Sequence, residues 1–211
     1  GCTIMEVGYR SRGGGDLQDH QAWWDACSRV GIFLTGVGTN DNHTGRDWDK
    51  PENNFVTWVW AKSSNPSDVL ESLGRGRVFF GDPTLFDGTL DLSIDSGAVM
   101  GQVDVAEDHG SKLSVLATGL QEGMSVEVIR LAMEGDPEAN EQVPRPEDYE
   151  RIMLTTSQFS SGIAQVPLPP GWSGLVRAIV LDEARTTIAL SNPLWLMTEE
   201  PPTEVPLGRR L

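Results

Sequence analysis

The chain is predicted to be α/β at its start and all-β thereafter, and three observations carry that prediction. An apolar run, a segment of helical period and a second apolar run follow one another within residues 4–37. That strand–helix–strand order belongs to a parallel sheet. From about residue 77, short β-rich runs recur between turn residues, the pattern of an antiparallel sandwich. The third is bulk composition: 211 residues, 38% hydrophobic and 22% charged, suit one large globular domain or two small ones.

Residues 4–8, Ile-Met-Glu-Val-Gly, form the first predicted strand, and a Gly13-Gly14-Gly15 loop follows. Asp16 stands where it can cap a helix, with Asp19 three residues on. Leu17, Trp23, Trp24, Cys27 and Val30 fall at helical spacing, and Gly31 supplies the stop. Cys27 on that face reads as a small buried hydrophobe. With Cys2 it makes neither a disulfide framework nor a zinc-finger spacing. Ile32–Val37 is the second predicted strand. A polar loop over 44–54 precedes the strand-like run Phe55–Ala61, and Ser67–Leu73 suggests a short helix stopped by Gly74. Of each pair Trp23/Trp24 and Trp58/Trp60, at least one ring is expected in the core.

Further strands are expected at Arg77–Phe80, Thr89–Ile94, Val99–Val103, Leu113–Thr118, Ser125–Met133, Arg151–Thr155, Leu175–Leu181, Thr186–Leu190 and Leu194–Met197. Residues 134–150, rich in Glu, Asp and Pro, read as a surface excursion. The chain is therefore divided near residue 87. Residues 1–87 are α/β, 88–199 a β-sandwich, and 200–211 a Pro-rich tail expected to be a disordered end or linker. Two or three strands cannot close a barrel, so the first part reads as the end of a larger unit. The opening Gly-Cys-Thr-Ile-Met has no initiator Met, and residue 1 is not expected to be a natural start.

A net charge of −15 argues against a nucleic-acid partner, since Lys and Arg supply that affinity. No apolar stretch approaches a membrane span. The compartment stays open. Acidity does suit cation binding, and one pair of residues fits it. Asp41 and His43 follow the strand end Gly36-Val37-Gly38, and residues two apart in an extended segment face one side. A carboxylate and an imidazole can converge there on zinc, manganese or iron. Strand carboxyl ends are where α/β folds build their sites. The alternative is a strand-end turn in which Asp41 accepts backbone N–H bonds.

Together these residues resemble the end of the PHP (polymerase and histidinol phosphatase) metallohydrolase superfamily, a distorted barrel around a two- or three-metal centre. The family's last metal motif is Asp-x-His after a strand, as Asp41-Asn42-His43 stands here. An aliphatic-Glu-aliphatic strand upstream corresponds to Met5-Glu6-Val7, and a Trp-containing helix with a terminal Gly to Trp23–Gly31. Members similar to carbaryl esterase continue through a Thr-containing strand, a helix and a Gly-Arg turn into a β-sandwich. Thr57, Val69–Leu73 and Gly76-Arg77 match that order, and Asn192-Pro193 matches the motif before a closing strand. The resemblance implies the C-terminal end of such a barrel followed by an antiparallel sandwich. It implies divalent metal ions held in part by Asp41 and His43, and hydrolysis of a phosphoester, or another ester or amide, by a metal-activated water. The family's opening His-x-His pair and middle histidines are absent; His20 and His109 match no family ligand. The site is therefore expected to need an upstream barrel portion, or another chain, for completion. A different class of reading makes the chain a binding module, with a glycan- or protein-binding sandwich and a vestigial metal pair.

Other motifs are weaker. Leu85-Phe86-Asp87-Gly88-Thr89-Leu90 resembles the haloacid-dehalogenase nucleophile motif, but Leu85 stands where the nucleophilic Asp is required. Asp87-Gly88 thus reads as a loop entering the sandwich. A glycosylation sequon at Asn42 would block the metal pair and is discounted. Gly74-Arg75-Gly76-Arg77 reads as a helix stop with two solvated arginines, ahead of a phosphate clamp. Asp87, Asp91 and Asp95 are read as surface charge, not as a calcium loop.

Overall fold

A computed structural model of the chain describes residues 2–8, 11–12, 15–40, 55–133, 143–200 and 209, with backbone alone at 11–12 and 15–16. Strand β1 is Ile4–Gly8, and the short strands β2 (Ser11–Arg12) and β3 (Gly15–Asp16) lead into helix α1, Leu17–Arg29. Then come β4 (Thr35–Gly38), β5 (Val56–Val59), helix α2 (Pro66–Gly74) and β6 (Val78–Gly81). The next strands are β7 (Leu90–Ile94), β8 (Val103–Val105), β9 (Lys112–Ala117), β10 (Ser125–Ala132) and β11 (Tyr149–Thr155). β12 (Ile163–Pro167), β13 (Gly174–Leu181), β14 (Thr187–Ser191) and β15 (Leu194–Met197) follow.

Two sheets face each other across the larger core. The bigger runs β11-β10-β13-β14-β6-β5, with β15 beside β13 and β8 beside β15; the smaller is β12-β9-β7. Alternation sets the inner faces: Leu90, Leu92 and Ile94 on β7 and Leu113, Val115 and Ala117 on β9 are buried, with less buried residues between them. They meet Val126, Val128, Val176, Ala178 and Val180 of the large sheet. The expected β-rich architecture of several sheets is present. One pair, β8–β15, runs parallel, with Trp195 opposite Val103, so the pairing is not wholly antiparallel.

β13 is buried along its whole length, and β10 along most of its own. The reason lies on the outer face. Ile129, Ile179 and Leu181 join Val7, Trp24, Phe55 and Phe80 in a second core beneath α1 and the β1–β4 pair. Strands covered on both faces read as continuous apolar runs, which accounts for the sequence of β13. β1 and β4 are parallel, with Ile4 opposite Thr35 and Glu6 opposite Val37, as strand–helix–strand order requires. The sequence division at residue 87 is not a sheet boundary: β5 pairs with β6, and β6 with β14. β6 needs both layers because Phe79 enters the larger core and Phe80 the second one.

The second predicted strand begins later than expected, at Thr35, with Ile32 exposed and Phe33 buried. Its glycines are required by close approach. A Cβ on Gly36 would stand 2.6 Å from the Trp24 ring, and one on Gly8 2.4 Å from the Phe80 ring. The far edge of β4 is closed by side chains. Gly36 N–H donates to the Asn192 side-chain oxygen at 2.7 Å, and the Asn192 amide returns a bond to Gly36 O at 2.8 Å. The Thr57 hydroxyl does the same for Gly38, accepting from its N–H at 2.9 Å and donating to its carbonyl at 3.0 Å.

Helix α2 starts one residue before the expected Ser67, because Pro66 occupies its first turn, where a preset φ fits and no N–H is missed. The arginines after it are not simply solvated. Arg77 chelates Asp91 at 2.7 and 2.8 Å, and Arg75 pairs with Glu71 at 2.7 Å. Asp91 is thus a structural anion. The expected disordered tail is corrected at one position: Arg209 is fully buried. It donates to Gly74 O at 3.1 Å, to Phe33 O at 3.0 Å and to the Thr35 hydroxyl, and its guanidinium lies 5.7 Å from the Trp195 ring centre. Burial lowers its pKa to about 10. Among the described residues, no helix is long and apolar enough to cross a membrane.

Candidate functional site

The β1-α1-β4 order brings the carboxyl ends of both strands and the start of α1 to one end of the layer. Two bonds fix the chain there. Thr39 N–H donates to Gly8 O at 2.9 Å, and the Thr39 hydroxyl donates to the Glu6 carboxylate. Asn40 is the last described residue before the loop; Asp41 and His43 lie outside the described residues. His20 sits half-buried on α1. His109 is buried in the other half of the molecule, its Nδ1 3.0 Å from an Asp104 oxygen that also accepts from Ser96 at 2.8 Å. Among the described residues, neither histidine joins a ligand cluster. Among the described residues, no three His, Cys, Asp or Glu side chains are placed to hold a metal.

A groove of about 550 Å³ opens between the first turns of α1 and the outer face of the large sheet. Gln18 and Gln21 line one wall, Tyr149 and Arg151 the other, and Ile179 and Leu181 the floor. Its inner end is a buried ion pair. Arg177, at the centre of β13, donates to both Asp25 oxygens at 2.6 and 3.3 Å and to Gln21 at 2.8 Å. The Tyr149 hydroxyl donates to the same Asp25 carboxylate at 3.0 Å. The Arg177 guanidinium also lies 5.9 Å from the Trp24 ring centre. The network ties α1 to two strands of the sheet at once, β13 through Arg177 and β11 through Tyr149.

The Tyr149 phenol is held well above its ordinary pKa, first by burial and then by the Asp25 charge. The unfolded chain therefore releases this proton near pH 10, whereas the folded chain retains it. Stability from this group is complete below pH 10 and is lost as pH rises toward the folded value. Denaturation at stepped alkaline pH should show Tyr149→Phe losing less stability than the parent above pH 10, by a slope of about one proton. Equal slopes would contradict this placement of the hydroxyl.

Sequence reasoning missed this network, although a signal was present. Arg177 is a lone charge inside an apolar strand, and Asp25 adjoins Trp24 on the helix face that packs inward. Charges are fully buried only when paired, so each pointed to a partner. The tryptophan expectation holds on α1, where Trp24 is core and Trp23 exposed. Trp58 on β5 and Trp60 just past its end both pack against the larger core, because residues two apart in an extended chain share a face. In comparisons with family models, curated proteins and solved structures, nothing matches the chain.

Proposed function

We propose that the chain is the C-terminal segment of a PHP-type metal-dependent hydrolase, acting on a phosphoester or another ester or amide. The observation that carries this reading is the parallel β1-α1-β4 unit. Its second strand ends at Gly38, and Asn40, Asp41, Asn42 and His43 follow it in the sequence. The Thr39 bonds to Glu6 and Gly8 support it, since a ligand loop must leave a fixed strand end. Asp41 and His43 are the donors for zinc, manganese or iron, two or three ions in a complete family site. Bound metal supplies an acidified water and stabilises charge developing on a phosphoryl or carbonyl oxygen. Two ligands fall short of the usual three plus water, so an upstream barrel portion or another chain completes the site. Among the described residues β1 pairs with β4 alone, which supports a further strand docking on its other edge.

The test is metal analysis and ester hydrolysis with the full-length protein and its Asp41→Ala/His43→Ala variant. Metal content is expected to fall by at least one equivalent, and hydrolysis by a factor of a hundred or more, roughly 3 kcal/mol in the barrier. Unchanged metal and unchanged activity would sink the proposal. The groove beside α1 favours a second reading, a binding module without catalysis. Retained folding with no metal uptake by the parent protein would select it.

A further inference from the structure

Glu127 is out of place by the rules of its own sheet face. It lies across from Ile179 on β13 and Met153 on β11, next to Ile129 along β10, and its side chain is only 8% exposed. A carboxylate in such surroundings needs cations. Arg151 donates to it at 2.6 Å, and Arg185 approaches its other oxygen at 3.7 Å. The two guanidiniums stay about half exposed, at 47% and 58%. Two guanidiniums thus share one carboxylate at the groove, which Asp19 of α1 also lines.

A second observation comes from the backbone. Arg185 has φ of +66°, and it is the non-glycine residue with positive φ among the described residues. It closes the β13–β14 turn, where Arg185 N–H donates to Asp182 O and Thr186 N–H to the Asp182 carboxylate. Glycine is the comfortable residue there. Arginine in its place keeps the local conformation under strain, and its guanidinium lies 3.7 Å from a Glu127 oxygen. Strain of this kind gathers at ligand sites.

We propose that this groove binds a small organic anion through Arg151 and Arg185. Glu127 holds the two guanidiniums in register, and the ligand's apolar part lies along Ile179 and Leu181. Guanidinium pairs suit carboxylate and phosphate oxygens, and a cavity of about 550 Å³ is of small-ligand size. The proposal uses neither Asp41 nor His43, so it stands or falls independently of the proposed hydrolysis.

Phenyl phosphate and benzoate are the probes, titrated into the full chain at low ionic strength and followed by ligand-detected NMR. At least one probe is expected to bind the parent protein, with phenyl phosphate the tighter if the natural ligand is a phosphate ester and benzoate if it is a carboxylate. Arg151→Gln and Arg185→Gly are each expected to weaken binding at least fivefold. Arg185→Gly should keep or raise the thermal midpoint, because it relieves the turn, so its loss of binding is not loss of fold. No binding of either probe to the parent, or undiminished binding to the double variant, overturns the proposal.

Discussion

Asp25→Ala is expected to destabilise the fold by about 3–5 kcal/mol, because it strands the Arg177 charge in the interior. Arg177 is 2% exposed and Asp25 is wholly buried, so water cannot take over for the missing carboxylate. Tyr149 loses its acceptor in the same step, which adds an unsatisfied hydroxyl to an unpaired cation. Asp25→Asn keeps one acceptor oxygen and should cost less. The double variant Asp25→Leu/Arg177→Met is the informative partner. Burying a charge pair recovers little net energy over well-packed apolar residues, so the double variant should regain most of the loss. Its expected defect is in position, since α1 would no longer be tied to β13 and β11. Chemical denaturation of all three measures the energies, and hydrogen exchange along α1 reads the looseness. An Asp25→Ala loss below about 1 kcal/mol would mean that the pair is hydrated, not buried.

Much of the fold was legible because it is written in local period. Alternation marked β7 and β9, and the apolar runs before and after α1 marked β1 and β4 with the correct parallel order. What failed was nonlocal or weakly patterned. β12 presents only Ala164 and Val166 inward and ends in Pro167, which an edge strand tolerates but a sequence pattern does not announce. The run Val99–Val103 was expected as one strand. Gly101 breaks it with φ of +84°, and the strand proper begins at Val103 because β15 accepts it there in parallel. The candidate site divides in the same way. An Asp-x-His pair is a local motif and can be read directly, whereas Asp25 and Arg177 are 152 residues apart and meet only after two layers have packed. Arg209 is the extreme case. A polar, Pro-rich context predicts no anchorage, and yet its guanidinium reaches three separate carbonyls and a threonine hydroxyl.

The largest effect expected at the junction of the layers belongs to Asn192→Ala. One side-chain amide does the work of a strand partner for Gly36 and also donates to Val78 O at 2.8 Å. Its removal leaves a buried N–H and a buried carbonyl on β4, with a weaker bond to Val78 O, in a place with no exposed surface. At about 1–3 kcal/mol for each unsatisfied buried group, a loss of roughly 2–4 kcal/mol is expected, less than the plain sum because groups in one network are not additive. Asn192→Asp tests whether hydrogen bonding or shape matters. The carboxylate still accepts from Gly36 N–H but cannot donate to either carbonyl, so it should be at least as damaging as alanine. The consequence reaches the proposed metal site, since Asp41 follows the end of β4 by three residues in the sequence. If the junction holds the strand end, Asn192→Ala should weaken metal uptake in the complete protein while Asp41 and His43 remain intact. Full metal content beside the expected stability loss would separate the two and confine Asn192 to the fold.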